Sequence, residues 1–389
     1  MFTIKTLNEI SSQGLSLLPR DRFTISKDEE NPDGIILRSF KMHGMDLPPG
    51  LKAVARAGAG TNNIPIDACS QKGIVVFNTP GANANSVKEL VLTGMFISSR
   101  KITESIAWSQ GLKGKGSEVP KLVESGKSNF AGPEILGKKL AVVGLGAIGV
   151  MVANAAVALG MEVLGYDPYI SVESAWGLSR AVQRAGSLEG CIGDADFISL
   201  HVPLLDSTTE MVNASLLAKM RPGVRILNFA RGELVDTPAI LAALQGGRVS
   251  AYVIDFPTDE LLGVDGVIPI PHLGASTPEA EENCAIMAAN QLRNYLDLGN
   301  IKNSVNFPDC EMDFTTGLRL TISNRNIPNM VGQITTVLAQ ENINIADLLN
   351  RHRGDLAYNI IDLDGDISEV ALDKVRSIEG IIGLRVIRR

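Results

Sequence analysis

The sequence predicts an α/β protein with two doubly wound domains followed by a small C-terminal domain in the ferredoxin-like order βαββαβ. Three features point to it. Short apolar runs alternate with helical spacers in two separate stretches, which is the signature of parallel sheets covered by helices. Near residue 317 the pattern restarts with its own strands and helices. At 389 residues and 45% hydrophobic content, the chain exceeds one ordinary core and is apolar enough to fill two or three.

From 34 to 78 the runs GIILRS, LKAVARAG and GIVVFN alternate with loop-forming stretches, giving the first α/β region. Residues 86–106 lack proline and carry apolar positions compatible with a 3.6-residue period, so they predict one long helix bridging two domains. A Gly-, Lys- and Ser-rich stretch at 111–133 predicts a surface excursion. The strand LAVVGLG opens the second region, where VLGYD, FISLHVP, RILNFA and SAYVIDF recur as further strands. After Pro278 a run rich in Glu and Ala predicts a helix that Gly299 can end. Residues 303–317 predict a linker. Beyond it come the strand GLRLTIS, the helix MVGQITTVLAQEN, the strands INIADLLNR and LAYNIIDLDG, the helix SEVALDKVRSI and the strand IIGLRVIRR.

Composition excludes several functions. A net charge of -7 with both signs interspersed offers no footprint for nucleic acid or anionic membranes. Cys69, Cys191, Cys284 and Cys310 are far apart, without metal-ligand spacing, so neither a metal site nor a disulfide framework is expected and the cytosol fits. The N-terminus MFTIKTLNEISSQG does not read as a signal peptide. Residues 140–161 carry no charge and are long enough to cross a bilayer. Gly144, Gly146, Gly149, Gly160 and Asn154 within them favour a buried strand followed by a buried helix, and no membrane association is expected.

The chemistry begins at GLGAIG, 144–149, which follows a predicted strand and opens a predicted helix, with Asp167 at the end of the next strand. Gly144 permits the tight turn, Gly146 lets a pyrophosphate approach the backbone, and Gly149 lets the helix pack closely. Asp167 would hold the ribose hydroxyls and repel a 2′-phosphate, favouring NAD over NADP. A Rossmann-like domain is thus expected.

With that motif in place, the chain resembles the D-isomer-specific 2-hydroxyacid dehydrogenases, in particular the branch that carries a C-terminal ACT domain and acts on 3-phosphoglycerate. The matching pieces are RAGAGTN (56–62), NTPGAN (78–83), the glycine motif through Asp167, HVP (201–203), NFARGELVD (228–236) and PHLGAST (271–277). The resemblance implies two Rossmann-like domains, with 1–94 and 278–306 binding substrate, 95–277 binding NAD, and 317–389 forming the ACT domain. It implies a catalytic set of Arg231, Glu260 and His272. His272 would be the base, having an unperturbed pKa near neutrality. Glu260 would orient it, and Arg231 would bind the carboxylate as a planar fork. The local text Asp255-Phe-Pro-Thr-Asp-Glu260 departs from the family's wording by about one residue, so Asp259 stays a rival for the carboxylate.

Further cofactor contacts implied are Ala147, Ile148, His201, Val202, Pro203, Ala230, Arg231, Asp255, His272 and Gly274. Ala147 stands where relatives often carry a polar residue. Substrate contacts implied are Arg38 and Arg56 for a phosphate, with Ala59, Gly60, Thr61, Asn62 and Asn78 in neighbouring loops. Asn326 and Asn344 match positions that present polar groups to an amino-acid effector, L-serine being the natural one, at an interface between copies in a homodimer or homotetramer. The expected reaction is NAD-dependent oxidation of 3-phosphoglycerate to 3-phosphohydroxypyruvate, the first step of serine biosynthesis. The alternatives are a glyoxylate or hydroxypyruvate reductase and, from another class, an NAD-sensing binding protein.

Overall fold

The computed structural model describes residues 1–389 and divides into two compact units, Met1–Asn83 with Pro278–Arg389, and Ala84–Thr277. The expected boundary at 94/95 falls inside the helix Ala84–Ser99, all of which belongs to the second unit.

In the first unit a parallel five-stranded sheet runs in the order Phe23–Ser26, Phe2–Thr6, Gly34–Leu37, Ala53–Arg56, Val75–Phe77. Gly34–Leu37 and Val75–Phe77 are buried throughout, as strands covered on both faces must be. The 21-residue helix Pro278–Leu298 presents Ala280, Cys284, Ala285, Ala288 and Ala289 to this core. These small side chains allow close approach, and a Cβ on Gly14 would lie 2.5 Å from the Ala285 backbone. Gly299, at φ +74°, ends the helix in the left-handed region that glycine tolerates.

The C-terminal part of this unit is an antiparallel sheet in the order Asn344–Arg353, Leu356–Asp364, Leu318–Arg325, Ile381–Arg388, with helices Met330–Gln340 and Glu369–Arg376. This is the expected ferredoxin-like arrangement. Leu320, Ile322 and Ile361 meet Ile334, Leu338 and Leu372 in the module's own core. Strand alternation sends Tyr358 and Ile360 the other way, into one cluster with Phe77, Tyr295 and Phe307.

The 303–317 stretch is therefore not a free tether. Ser304, Asn306, Phe307 and Cys310 are buried, and Asn306 accepts from Val76 N (2.9 Å) and donates to Ile74 O (2.9 Å). Arg319, fully buried, forms a two-pronged pair with Asp362 (2.6 and 2.9 Å). It also donates to Leu298 O (2.9 Å), Met312 O (3.0 Å) and Asp313 O (2.8 Å), stitching the module to the end of the long helix.

In the second unit a parallel seven-stranded sheet runs Val267–Pro269, Val249–Ile254, Val224–Asn228, Phe197–Leu200, Lys139–Val143, Glu162–Tyr166, Gln183–Arg184. The strand order reverses direction between Lys139–Val143 and Phe197–Leu200, where doubly wound sheets open a crevice. The uncharged run 140–161 resolves into that central strand and the 12-residue helix Ala147–Ala158, and no helix of the chain is long and apolar enough to cross a membrane.

The single helix expected over 86–106 is broken, into Ala84–Ser99 and Ile102–Gln110. Tertiary packing overrides propensity there: a Cβ on Gly132 would lie 2.0 Å from Ser99 O, so another segment crosses the chain where the helix would continue. The excursion at 111–133 contains the helix Val119–Gly126 and two 3-10 turns, and its Phe130 ring lies tilted against Trp108 at 5.4 Å.

Candidate active site

At the crevice, the glycine loop is shaped by what a side chain would strike. Gly144 has φ +92°, and a Cβ there would lie 2.6 Å from His201 O. One on Gly149 would lie 2.0 Å from Gly144 O. A Cβ on Gly146 would meet nothing within 4 Å beyond its chain neighbours. Gly146 caps the helix Ala147–Ala158 without a side-chain hydrogen bond, so the first N–H groups at Ala147, Ile148 and Gly149 keep their anion-binding capacity.

Asp167 accepts from Leu145 N (2.8 Å) and Tyr169 N (2.8 Å), locking the loop to the neighbouring strand. A carboxylate has about four acceptor positions, so two remain for hydroxyls. Beside it is a cavity of ≈ 310 Å³ lined by Leu145, Ile170, Ala175, Leu178 and Val182, suited to a flat apolar ring. Open glycine, uncapped helix, carboxylate and apolar slot together fit a dinucleotide.

His201 stands at the same crevice with its Nε2 2.8 Å from Ser199 Oγ, and desolvation pushes its pKa down to about 4, leaving a neutral ring. Val202 is half-buried and Pro203 exposed.

Two further loops leave this sheet, each pinned by one buried polar residue. Asn228, at the end of its strand, donates to Arg231 O (2.8 Å) and Tyr252 Oη (3.2 Å) and accepts from Ala230 N (3.2 Å). Asp255, only 1% exposed, accepts from Leu273 N (2.8 Å) and Gly274 N (2.9 Å). Burial raises the Asp255 pKa, opposed by those two N–H groups and by His272. Asp255, expected as a cofactor contact, holds the His272 loop with one N–H on each oxygen. His272 lies at φ +54°, a conformation costly for a non-glycine residue and one the Asp255 bonds help to impose.

The exposed Arg231 and His272 share one neighbour. The Arg231 guanidinium carbon lies 5.7 Å from the Phe256 ring centre, and the His272 ring 4.5 Å from it. Glu260 and Asp259 lie on the exposed turn Asp259–Leu261, and no hydrogen bond or ion pair joins either to His272. Phe256 and Tyr252 are given no role by the sequence, and Asn228 stands there only as the first residue of the NFARGELVD motif. Two aromatics in or beside an apolar run carry no spacing signal.

In the first unit the residues expected to meet substrate form one cluster at the carboxyl ends of the parallel strands. Arg38 pairs with Glu281, and Arg56 donates to Arg38 O (3.0 Å) and to Gly60 O. Asn78 donates to Ala59 O (2.6 Å). Thr61 O accepts from Ile64 N, and Asn62 O lies 3.1 Å from His43 Nε2. Asn8, which the sequence did not flag, accepts from the N–H groups of Arg38, Ser39 and Phe40.

Asn326 and Asn344 are not brought together. Asn326 donates to Gly354 O at the hairpin turn (3.0 Å), whereas Asn344 donates to Asp364 (2.7 Å) at the other end of the same ten-residue strand pair.

Residues 93–274 match the family model described as D-isomer specific 2-hydroxyacid dehydrogenase, NAD binding domain. D-3-phosphoglycerate dehydrogenase of Haemophilus influenzae is 33% identical over 355 residues, covering 88% of this chain and 83% of that protein. The enzyme of the same name from Methanocaldococcus jannaschii is 35% identical over 319 residues, covering 80% of this chain and 57% of that one. Among solved structures, NAD+-bound 3-phosphoglycerate dehydrogenase of Entamoeba histolytica superposes with a TM-score of 0.59 at 26% identity, covering 78% of this chain and 98% of that one.

Proposed function

The chain belongs to the D-isomer specific 2-hydroxyacid dehydrogenases, and from that premise we propose that it oxidises 3-phosphoglycerate to 3-phosphohydroxypyruvate with NAD. The observation that carries the chemistry is the pair Arg231 and His272, exposed on separately pinned loops and sharing Phe256 as neighbour. The names of the relatives supply the substrate.

Arg231 binds the substrate carboxylate and polarises the C2 oxygen as it becomes a carbonyl. His272 takes the proton from the C2 hydroxyl and, in reverse, returns it. NAD, when bound, accepts the hydride from C2. Glu260, with Asp259 as its rival, turns toward His272 when substrate is present and favours the imidazolium. Gly144, Gly146, Ala147, Ile148 and Gly149 hold the pyrophosphate and Asp167 the ribose, with His201, Val202, Pro203, Ala230 and Gly274 completing the cofactor's surroundings. Arg38 and Arg56, with Ala59, Gly60, Thr61, Asn62 and Asn78, receive the phosphate end.

Residues 1–94 and 278–306 serve as the substrate domain, 95–277 as the NAD domain and 317–389 as an ACT regulatory domain. L-serine binds at Asn326 of one copy and Asn344 of another. Separation of these two residues within a chain supports a site shared between copies, hence a homodimer or homotetramer, working in the cytosol. The test is NADH-dependent reduction of 3-phosphohydroxypyruvate, hydroxypyruvate and glyoxylate. The highest kcat/KM is expected for the phosphorylated acid, and a preference for glyoxylate would point to the reductase alternative.

A further inference from the structure

We propose that the outer face of the helix Pro278–Leu298 carries a second small-molecule site, for a zwitterionic amino acid with a polar side chain. A cavity of ≈ 570 Å³ lies there, and its polar lining is Asn283, Asn290, Gln291, Asn294, Lys302 and Asn303.

The second observation is Gln291. It is 8% exposed, and neither its Nε2 nor its Oε1 has a hydrogen-bond partner in the protein. Leaving a buried carboxamide unpaired is costly, and native proteins answer that cost with a bound partner. Asn283 and Asn294 also have no side-chain partner, so three carboxamides face this region unused.

The ligand class follows from what the lining offers and lacks. It has no carboxylate and no aromatic ring, which disfavours polyamines, cations and nucleobases. Each carboxamide supplies both a donor and an acceptor, matching a carboxylate, an ammonium, a hydroxyl or another amide. Lys302, the one charged residue of the lining, offers a cation to a carboxylate, and the carboxamides can accept from an ammonium. The opposite wall is Gly81 and Ala82, just past Asn78, and Asn303 O accepts the Asn78 N–H at 3.4 Å. Occupancy therefore bears on the loop assigned above to substrate. The site itself does not rest on that assignment, because it is argued from the cavity and the unpaired amide.

The experiment is calorimetric titration of the full chain, without nucleotide, with L-serine, L-asparagine and L-glutamine, and with L-leucine as control. At least one polar amino acid is expected to bind in the millimolar range or tighter, and L-leucine is not. Gln291→Leu should weaken that binding tenfold or more while the melting temperature holds or rises, since an unpaired buried amide is removed. Asn294→Ala, on the half-buried rim, should also weaken it and decides the matter if Gln291→Leu does not fold. Asn344→Ala should remove only the share of L-serine binding assigned above to the C-terminal sheet, and leave L-asparagine and L-glutamine binding unchanged. The proposal is overturned if none of the three binds at millimolar concentration, if L-leucine binds equally, or if both cavity variants leave intact the binding of L-asparagine and L-glutamine and, in the Asn344→Ala background, of L-serine.

Discussion

The two units use their polar residues in opposite ways. In Ala84–Thr277, Arg231 and His272 are exposed, and the holding is done behind them by the buried Asn228 and Asp255. In the unit of Met1–Asn83 and Pro278–Arg389 the cations themselves do the holding. Arg38 pairs with Glu281, Arg56 braces its own loop, and Arg319 lies fully buried against Asp362. Rate and stability should therefore separate in the first case and mix in the second.

The largest stability effect should come from Arg319→Ala, which strands Asp362 in an interior with no counter-charge. A loss of about 3–5 kcal/mol is expected, visible as a lowered denaturation midpoint. A chain truncated after Asn306 should fail to stay folded, because Phe77 and Tyr295 lose the cover of Phe307, Tyr358 and Ile360. A truncated chain that melted like the full one would mean the C-terminal module is an independent appendage after all.

Asp255→Asn leaves one of the two loop N–H groups facing an amide donor. It should cost about 1–3 kcal/mol and, by loosening His272, lower kcat by roughly tenfold or more. An equal loss in NADH affinity would show that Asp255 also supports the cofactor.

His201 provides a pH test of the same crevice. Its folded pKa, about 4, lies below the unfolded 6.5, so the unfolded chain takes up a proton that the folded one refuses. Stability should be flat above that upper value on this account and fall as pH drops through the window, by about 2 kcal/mol once the ring's remaining solvent contact is allowed for. His201→Gln should flatten that slope in urea titrations at several pH values.

The smallest effect concerns Glu281→Gln. The Arg38 pair is partly exposed, with side chains 36% and 48% accessible, so its loss should cost about 0.2–1 kcal/mol. It should also free Arg38 for a phosphate, lowering KM by roughly two- to fivefold on the same scale. A raised KM would show that Glu281 orients Arg38 rather than competes for it.

What is legible in the sequence tracks how narrowly each position is constrained. Gly144 and Gly149 can be nothing but glycine where a Cβ would overlap backbone oxygen, so the nucleotide loop is readable from its residue types and spacing alone. The C-terminal βαββαβ order follows from clean alternation in its strands. Three things are not readable there. The break after Ser99 comes from Gly132 crossing it, a contact that no local pattern encodes. Polar letters at Ser304 and Asn306 look like linker, yet they are buried because the strand Val75–Phe77 and its lead-in supply partners. The role of Asp255 is hidden as well, since a carboxylate that ties down a loop and one that meets a ligand look alike in sequence.

The division of labour around Phe256 is tested most directly by measuring kcat, the NADH dissociation constant and the melting temperature of His272→Ala together. Loss of proton transfer should cut kcat by roughly a hundredfold or more, while NADH affinity and melting stay near wild type, because Asp255 still holds the loop through Leu273 N and Gly274 N. Near-normal turnover, or a fall in kcat matched by lost nucleotide binding and stability, would contradict the assignment of His272 as the base.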